Sequence, residues 1–264
     1  KTLNYLPFGQ DEVKSWIFPD LVCGAVLRQN GEIILALRHT LGVFNVDTEI
    51  FTPLMEIEPE LPNNRINEMK CDPQGRLWIG TMQDNVDGDG TEINITKNSG
   101  NLYCIYADLR IEKQAENIGI SNTLAWSPNE RTFYFADSMA DTIWSYDYDN
   151  KTGDISSKRI LLSNTTTGVP DGSAIDSEGW LWNTRFGEGC VLRISPDGLE
   201  VQRIDLPVTN PTSCAFGGAD NSILYITSAR FTLSGEQLTT NENEGGIVAL
   251  QTEVTGVAVA DCLL

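Results

Sequence analysis

The stretch Val169-Pro170-Asp171-Gly172-Ser173-Ala174-Ile175-Asp176-Ser177-Glu178-Gly179-Trp180-Leu181-Trp182 decides the reading of this chain. Its second half is a hairpin signal: polar turn residues ending in Gly179, then apolar and aromatic residues suited to a strand. Its first half places an acid, Asp171, eight residues before Gly179. The same turn-then-strand signal occurs five times. The other four are Arg28-Gln29-Asn30-Gly31, Asp72-Pro73-Gln74-Gly75, Ser127-Pro128-Asn129-Glu130 and Gly217-Gly218-Ala219-Asp220, each followed by an apolar run.

The fourth residues of these turns lie 44, 55, 49 and 41 positions apart (31, 75, 130, 179, 220). That is the length of a propeller blade, four strands in about 40–50 residues. Each interval also holds a second hairpin, such as Asp141-Thr142-Ile143-Trp144-Ser145-Tyr146 and its turn Asn150-Lys151-Thr152-Gly153. No segment sustains a helical period and no Pro- or Ser-rich linker divides the chain, so residues 1–264 are expected to form one domain. Residues 3–17 read as the outer hairpin of a blade, with a turn at Gly9-Gln10-Asp11. The expectation is an all-β, six-bladed β-propeller whose first blade is incomplete at the N-terminus. A five-bladed ring with an added hairpin is the rival.

Composition narrows the function. A net charge of −19 argues against nucleic acid and anionic membrane as partners and suits a soluble surface or an acidic site that attracts cations. No stretch is apolar enough to span a membrane, and no signal peptide is visible, so a cytoplasmic location is expected. The first residue is Lys1, so the start of the gene product is expected upstream. The six cysteines have no metal or redox spacing, and buried free thiols are the default. The single histidine, His39, directly follows a strand signal, which fits a strand-end residue better than a catalytic one. Hydrolytic chemistry here has to run on carboxylates, amides and a hard cation.

Counting back eight residues from the turn gives Asn67, Asn122 and Asp171 in three consecutive repeats. The other two repeats carry Cys23 and, in a looser turn, Pro211 or Thr212. Innermost blade strands line a propeller's channel, so these positions are expected to converge at one mouth. An oxygen-rich site of this kind suits Ca²⁺, Mn²⁺ or Mg²⁺ and can take Zn²⁺. The alternative is that Asn and Asp merely stabilise the turn entering each strand. Arg65 and Glu68 flank Asn67; the guanidinium reads either as a holder of substrate oxygen or as a surface ion pair. Asn85-Val86-Asp87-Gly88-Asp89-Gly90 faintly resembles a calcium loop but has Thr96 where the closing Glu belongs, and reads as a mobile loop.

Several stretches resemble the SMP-30/gluconolactonase/luciferin-regenerating-enzyme family, which includes regucalcin-like sugar lactonases. They are 64–73 (Asn-Arg-Ile-Asn-Glu-Met-Lys-Cys-Asp-Pro) with Gly80-Thr81-Met82, 120–128 with Tyr134-Phe135-Ala136-Asp137-Ser138, Pro170-Asp171-Gly172, and 212–218. The resemblance implies a six-bladed propeller with one divalent cation held by a Glu, an Asn and an Asp. The last two look like Asn122 and Asp171, with Asn67 beside the metal; no residue here matches the Glu. It further implies hydrolysis of a sugar lactone, such as gluconolactone or a pentonolactone, to the aldonic acid. In that reading Asp171 is the base, Arg65, Asn67 and Glu68 hold the sugar, and the cation is Ca²⁺, with Zn²⁺ or Mn²⁺ able to serve. The molecule is expected to act as a monomer or weak homo-oligomer on a small-molecule substrate. Glu68 stands where Asp is usual, and Thr123 where Gly is usual, adding bulk near the site. A non-catalytic calcium- or partner-binding propeller of the same family is the alternative, and an ester or luciferin-type substrate a third.

Overall fold

In the computed structural model, which describes residues 1–7, 9–10 and 12–264, the recurrent signal becomes a recurrent turn. The N–H groups of Gly31, Gly75, Glu130 and Gly179 donate to the carbonyl three residues back at 2.8–2.9 Å. All four residues have a left-handed φ, 82°, 76°, 58° and 85° in that order. Glycine adopts it without steric cost, whereas Glu130 does not. The fifth turn is looser and holds two left-handed residues, Gly218 at φ 86° and Asn221 at φ 57°.

The chain forms two compact units, Lys1–Ser121 with Ala260–Leu264, and Asn122–Val259. In the first, β1 (Thr2–Tyr5) pairs antiparallel with β2 (Lys14–Ile17). Two four-stranded meanders follow. One is β3 (Val22–Leu27), β4 (Ile33–Leu37), β5 (Thr40–Asn45) and β6 (Ile50–Glu56). The other is β7 (Asn64–Cys71), β8 (Leu77–Gln83), β9 (Gly100–Ile105) and β10 (Ile111–Ile118). The second unit holds β11 (Ser121–Trp126), β12 (Thr132–Asp137), β13 (Thr142–Tyr148) and β14 (Ile155–Ser163), then β15 (Val169–Ile175), β16 (Leu181–Phe186), β17 (Cys190–Ile194) and β18 (Val201–Asp205). It ends with β19 (Pro211–Gly217), β20 (Ile223–Ser228), the helix α1 (Gly235–Thr240) and β21 (Ile247–Gln251), a three-stranded sheet. Sequential strands pairing in order, sheet after sheet, are the blades of a β-propeller.

Among the described residues the blades number five, not six. The hairpin signal in residues 3–17 yields only the two-stranded sheet β1–β2, which gains no inner strands among the described residues. A blade needs that inner pair, so the hairpin does not count as one. Of the turn expected there, Gln10 N–H donates to the Pro7 carbonyl at 3.1 Å; Asp11, like Phe8 before it, lies outside the described residues. The helix α1 was not expected. Its signal is short: Ser234 caps Gln237 N–H while the Gln237 side chain accepts from Ser234 N–H, a capping box over six residues with no buried face.

Each unit has its own cores. Ile34, Leu41, Ile66, Ile79, Ile105 and Leu264 share one in the first unit. In the second, Tyr134, Ile143, Leu181 and Ile194 share one, and Trp182, Leu224 and Ile226 another. A buried carboxylate ties turn to strand in two blades. Asp72 accepts from the Trp78 indole at 3.1 Å and from Arg76 Nε at 2.6 Å. Asp176 accepts from the Trp182 indole and Arg193 Nε, both at 2.9 Å. All six cysteines are free thiols, five buried and Cys23 half-buried. His39 lies in the bend between β4 and β5. Among the described residues no helix is long and apolar enough to cross a membrane.

Candidate active site

The eight-residue offset has a structural cause. In β3 the register against β4 shifts between Val22 and Gly24, so Cys23 is the extra residue of a β-bulge. In β7 the shift falls between Ile66 and Glu68, at Asn67. In β15 it falls between Pro170 and Ser173, at Asp171 and Gly172, and in β19 between Pro211 and Ser213, at Thr212. A bulge bends the strand and re-aims the side chain. In β11 the residue after Asn122, Thr123, has φ 56°, a conformation rare for a β-branched residue. The offset therefore marks a local kink in the innermost strand of each blade.

In the first unit, the kinks assemble around Arg65. Its Nη1 donates to Asn67 Oδ1 at 2.7 Å and to the Ile66 carbonyl at 2.9 Å. Its Nε and Nη2 both reach Asn85 Oδ1, at 3.2 and 2.8 Å, and Nε lies 3.7 Å from Asp84 Oδ1. The guanidinium also faces Cys23: burial pushes that thiol's pKa up, and the charges of Arg65 and Arg38 draw it back. Asn67 completes its amide by donating Nδ2 to the Ser121 carbonyl at 2.9 Å. Glu68, half-buried, has its carboxyl pKa raised by desolvation, against the lowering effect of Lys70 and of the Met69 N–H. Arg65 is 12% exposed, so it is no surface ion pair.

Beside this group opens a cleft of about 620 Å³ whose lining includes Asp20, Arg38, Asn63, Asp84, Asp87 and Lys97. Arg38 holds Asp20 at 3.0 Å, the Asp84 carboxylate, and the Val86 carbonyl at 2.9 Å. Asn85 and Val86 begin the glycine-rich loop, which a Val86–Glu92 bridge closes. Asp87 Oδ1 is turned onto its own loop, accepting from the N–H groups of Asp89 and Thr91 at 2.9 and 2.8 Å.

In the second unit, Asn122 and Asp171 are joined through Ser138. Asn122 Nδ2 donates to Ser138 Oγ at 2.8 Å, and Ser138 Oγ donates to the Pro170 carbonyl at 2.6 Å. Thr123 Oγ1 donates to the Asp171 carbonyl at 2.6 Å. Thr123 is fully buried. Asn122 can offer a cation an amide oxygen, and Asp171 a carboxylate. By chemistry the pair fits a hard, oxygen-seeking cation. Among the described residues no three His, Cys, Asp or Glu side chains cluster as a metal site, so amides and water would have to complete the coordination.

Sequence reasoning missed Arg38, Asp84 and Asn85 in the first unit and Ser138, Asn183 and Arg185 in the second. Asn85 stands 20 positions from Arg65 in sequence, a pairing that no local pattern encodes.

The kinked inner strands with their polar side chains, repeated sheet after sheet, are those of a β-propeller. The SMP-30/Gluconolactonase/LRE-like region matches residues 1–230, and the chain belongs to that family. Regucalcin from Xenopus laevis is 36% identical over 235 residues, 88% of this chain and 76% of the relative. The solved structure of a calcium-binding protein, regucalcin, from Agrobacterium tumefaciens superposes with a TM-score of 0.90 at 29% identity, covering 98% of this chain and 85% of that one. A luciferin-regenerating enzyme gives 0.87 at 30% identity, over 100% and 89%.

Proposed function

We propose that this protein is a divalent-cation-dependent lactonase that opens a sugar lactone to its aldonic acid. The observation that carries the reading is the half-buried carboxylate of Asp171, on a bulge whose main chain is bonded by Thr123 and beside an Asn122 held by Ser138. Asn122 and Asp171 would hold the cation, Ca²⁺ first, Zn²⁺ or Mn²⁺ as substitutes. When bound, the cation supplies Lewis acidity to the lactone carbonyl and acidifies water. Asp171 accepts the proton as water adds to the carbonyl. The ring C–O bond then breaks, and the ring oxygen leaves as a hydroxyl once it is protonated. Arg65, Asn67 and Glu68 orient the sugar oxygens, and the polar cleft beside them is of a size that ligand pockets have. The substrate is a small molecule, and the protein is a cytoplasmic monomer or weak homo-oligomer.

The test is acid release from gluconolactone and a pentonolactone. It should rise with added Ca²⁺, Mn²⁺ or Zn²⁺ and vanish in Asp171→Ala. Equal release with and without chelator would sink the reading. A second reading, a calcium- or partner-binding propeller without catalysis, draws on the lack of a three-carboxylate cluster among the described residues. Calcium binding without lactone turnover would select it.

A further inference from the structure

The frame behind Asp171 is more elaborate than a blade requires. Asn183 and Arg185 of β16 are 0% and 1% exposed. Measured from their own turns, the corresponding residues of three other blades are Leu35 and Leu37, Ile79 and Thr81, and Tyr134 and Ala136. Five of those six are apolar or aromatic and all are buried. An amide and a guanidinium at such positions are costly unless every polar atom is used.

They are used on Asp171. Asn183 Nδ2 reaches the Asp171 carbonyl at 3.1 Å, Thr123 Oγ1 at 3.1 Å and Ser173 Oγ at 2.9 Å. Arg185 Nη1 donates to Asn183 Oδ1 at 3.1 Å. A guanidinium can only donate, so it decides which end of the Asn183 amide faces the bulge. The rest of Arg185 grips the loop that enters β15: Nε bonds the Thr167 carbonyl and Nη2 the Gly168 carbonyl and Asp141, each at 2.7 Å. One side chain thus fixes the chain before the bulge, and the other fixes the bulge itself.

We propose that Asn183, oriented by Arg185, is a positioning residue that sets the carboxylate of Asp171 for proton transfer and cation binding. The proposal rests on the lactonase reading above. It is tested with Asn183→Leu, similar in shape but without donors, assayed for kcat and KM on lactone and, separately, for the affinity of Ca²⁺ alone by calorimetry. The expected result is a folded protein with kcat down about tenfold, the worth of one lost buried hydrogen bond, KM within about twofold of wild type, and weaker Ca²⁺ binding. Wild-type kcat and Ca²⁺ affinity in folded Asn183→Leu would overturn it. If that variant fails to fold, Thr123→Val removes a single donor to the same carbonyl; a smaller loss in the same direction supports the proposal, and unchanged values overturn it. If Asp171→Ala still hydrolyses lactone, the lactonase reading has failed, and the Ca²⁺ titration alone then decides the positioning claim.

Discussion

In the sheet β7–β10 the side chain at the bulge is Asn67, and a guanidinium occupies its oxygen. In the sheet β15–β18 the bulge holds Asp171, and the bonds from Thr123 and Asn183 run to its main chain. The two sheets otherwise repeat each other: the same left-handed Gly closes the turn, and the same buried Asp holds the indole six residues on. One scaffold therefore carries two chemistries. At Asn67 the kink builds a cationic, hydrogen-bonding surface; at Asp171 it carries a carboxylate. What differs is the bulge side chain itself, an amide bonded by a guanidinium in one sheet and a carboxylate in the other.

That contrast predicts unequal losses. Asp171→Asn should lower lactone kcat by about 10³-fold, as removal of a general base does, whereas Asn67→Ala should act mainly on KM through a loosened Arg65. Steady-state kinetics on both variants checks this; equal effects on kcat would erase the distinction between the two kinks. The shared clamps should differ less. Asp72→Ala strips the ion pair of Arg76, 9% exposed, and should cost about 4 kcal/mol in a urea titration. Asp176→Ala should cost about 2–3 kcal/mol, because Arg193 keeps Glu178 at 2.6 Å.

These features were unequally legible in the sequence. The turns could be read because a left-handed position favours Gly, and the offset could be read because the kink is local. Asn67, Asn122 and Asp171 were found on that rule, and Cys23 and Thr212 obey it too. Asn85, Asn183 and Arg185 were not found. Their partners are fixed by cross-strand register and by loops 20 or 17–18 residues away, and an Asn or Arg in a strand looks the same whether it faces a site or water. The sixth blade was inferred from a hairpin whose pattern is that of any outer strand pair; strand alternation alone does not say whether an inner pair exists.

Glu130 is where a blade departs from the shared turn. It takes the left-handed conformation that Gly31, Gly75 and Gly179 take at the same position. Glu130→Gly should relieve about 1 kcal/mol of backbone strain. Part of that gain is lost with the hydrogen bond that the Glu130 carboxylate accepts from Asn150. A rise in Tm of a few degrees is expected, against a fall for Gly179→Ala.

Glu68 gives the smallest effect and the one that depends on pH. It follows the Asn67 kink as Gly172 follows Asp171, but it carries a carboxyl into a half-buried place where desolvation raises its pKa above the ordinary 4.5. A carboxyl whose pKa is raised on folding binds its proton more tightly in the folded state. Its favourable contribution is therefore present below pH 4.5 and is lost as pH rises through the folded-state value. Once charged, Glu68 is a burden that Lys70 only partly offsets. Glu68→Gln should then raise Tm slightly at a pH above the folded-state value and lose that advantage as the pH is taken below 4.5. The change at Asp171 should behave oppositely, costing activity at neutral pH without a gain in stability that fades in acid. A Glu68→Gln advantage that stayed constant across the titration would mean that packing, not charge, sets the difference between the two kinks.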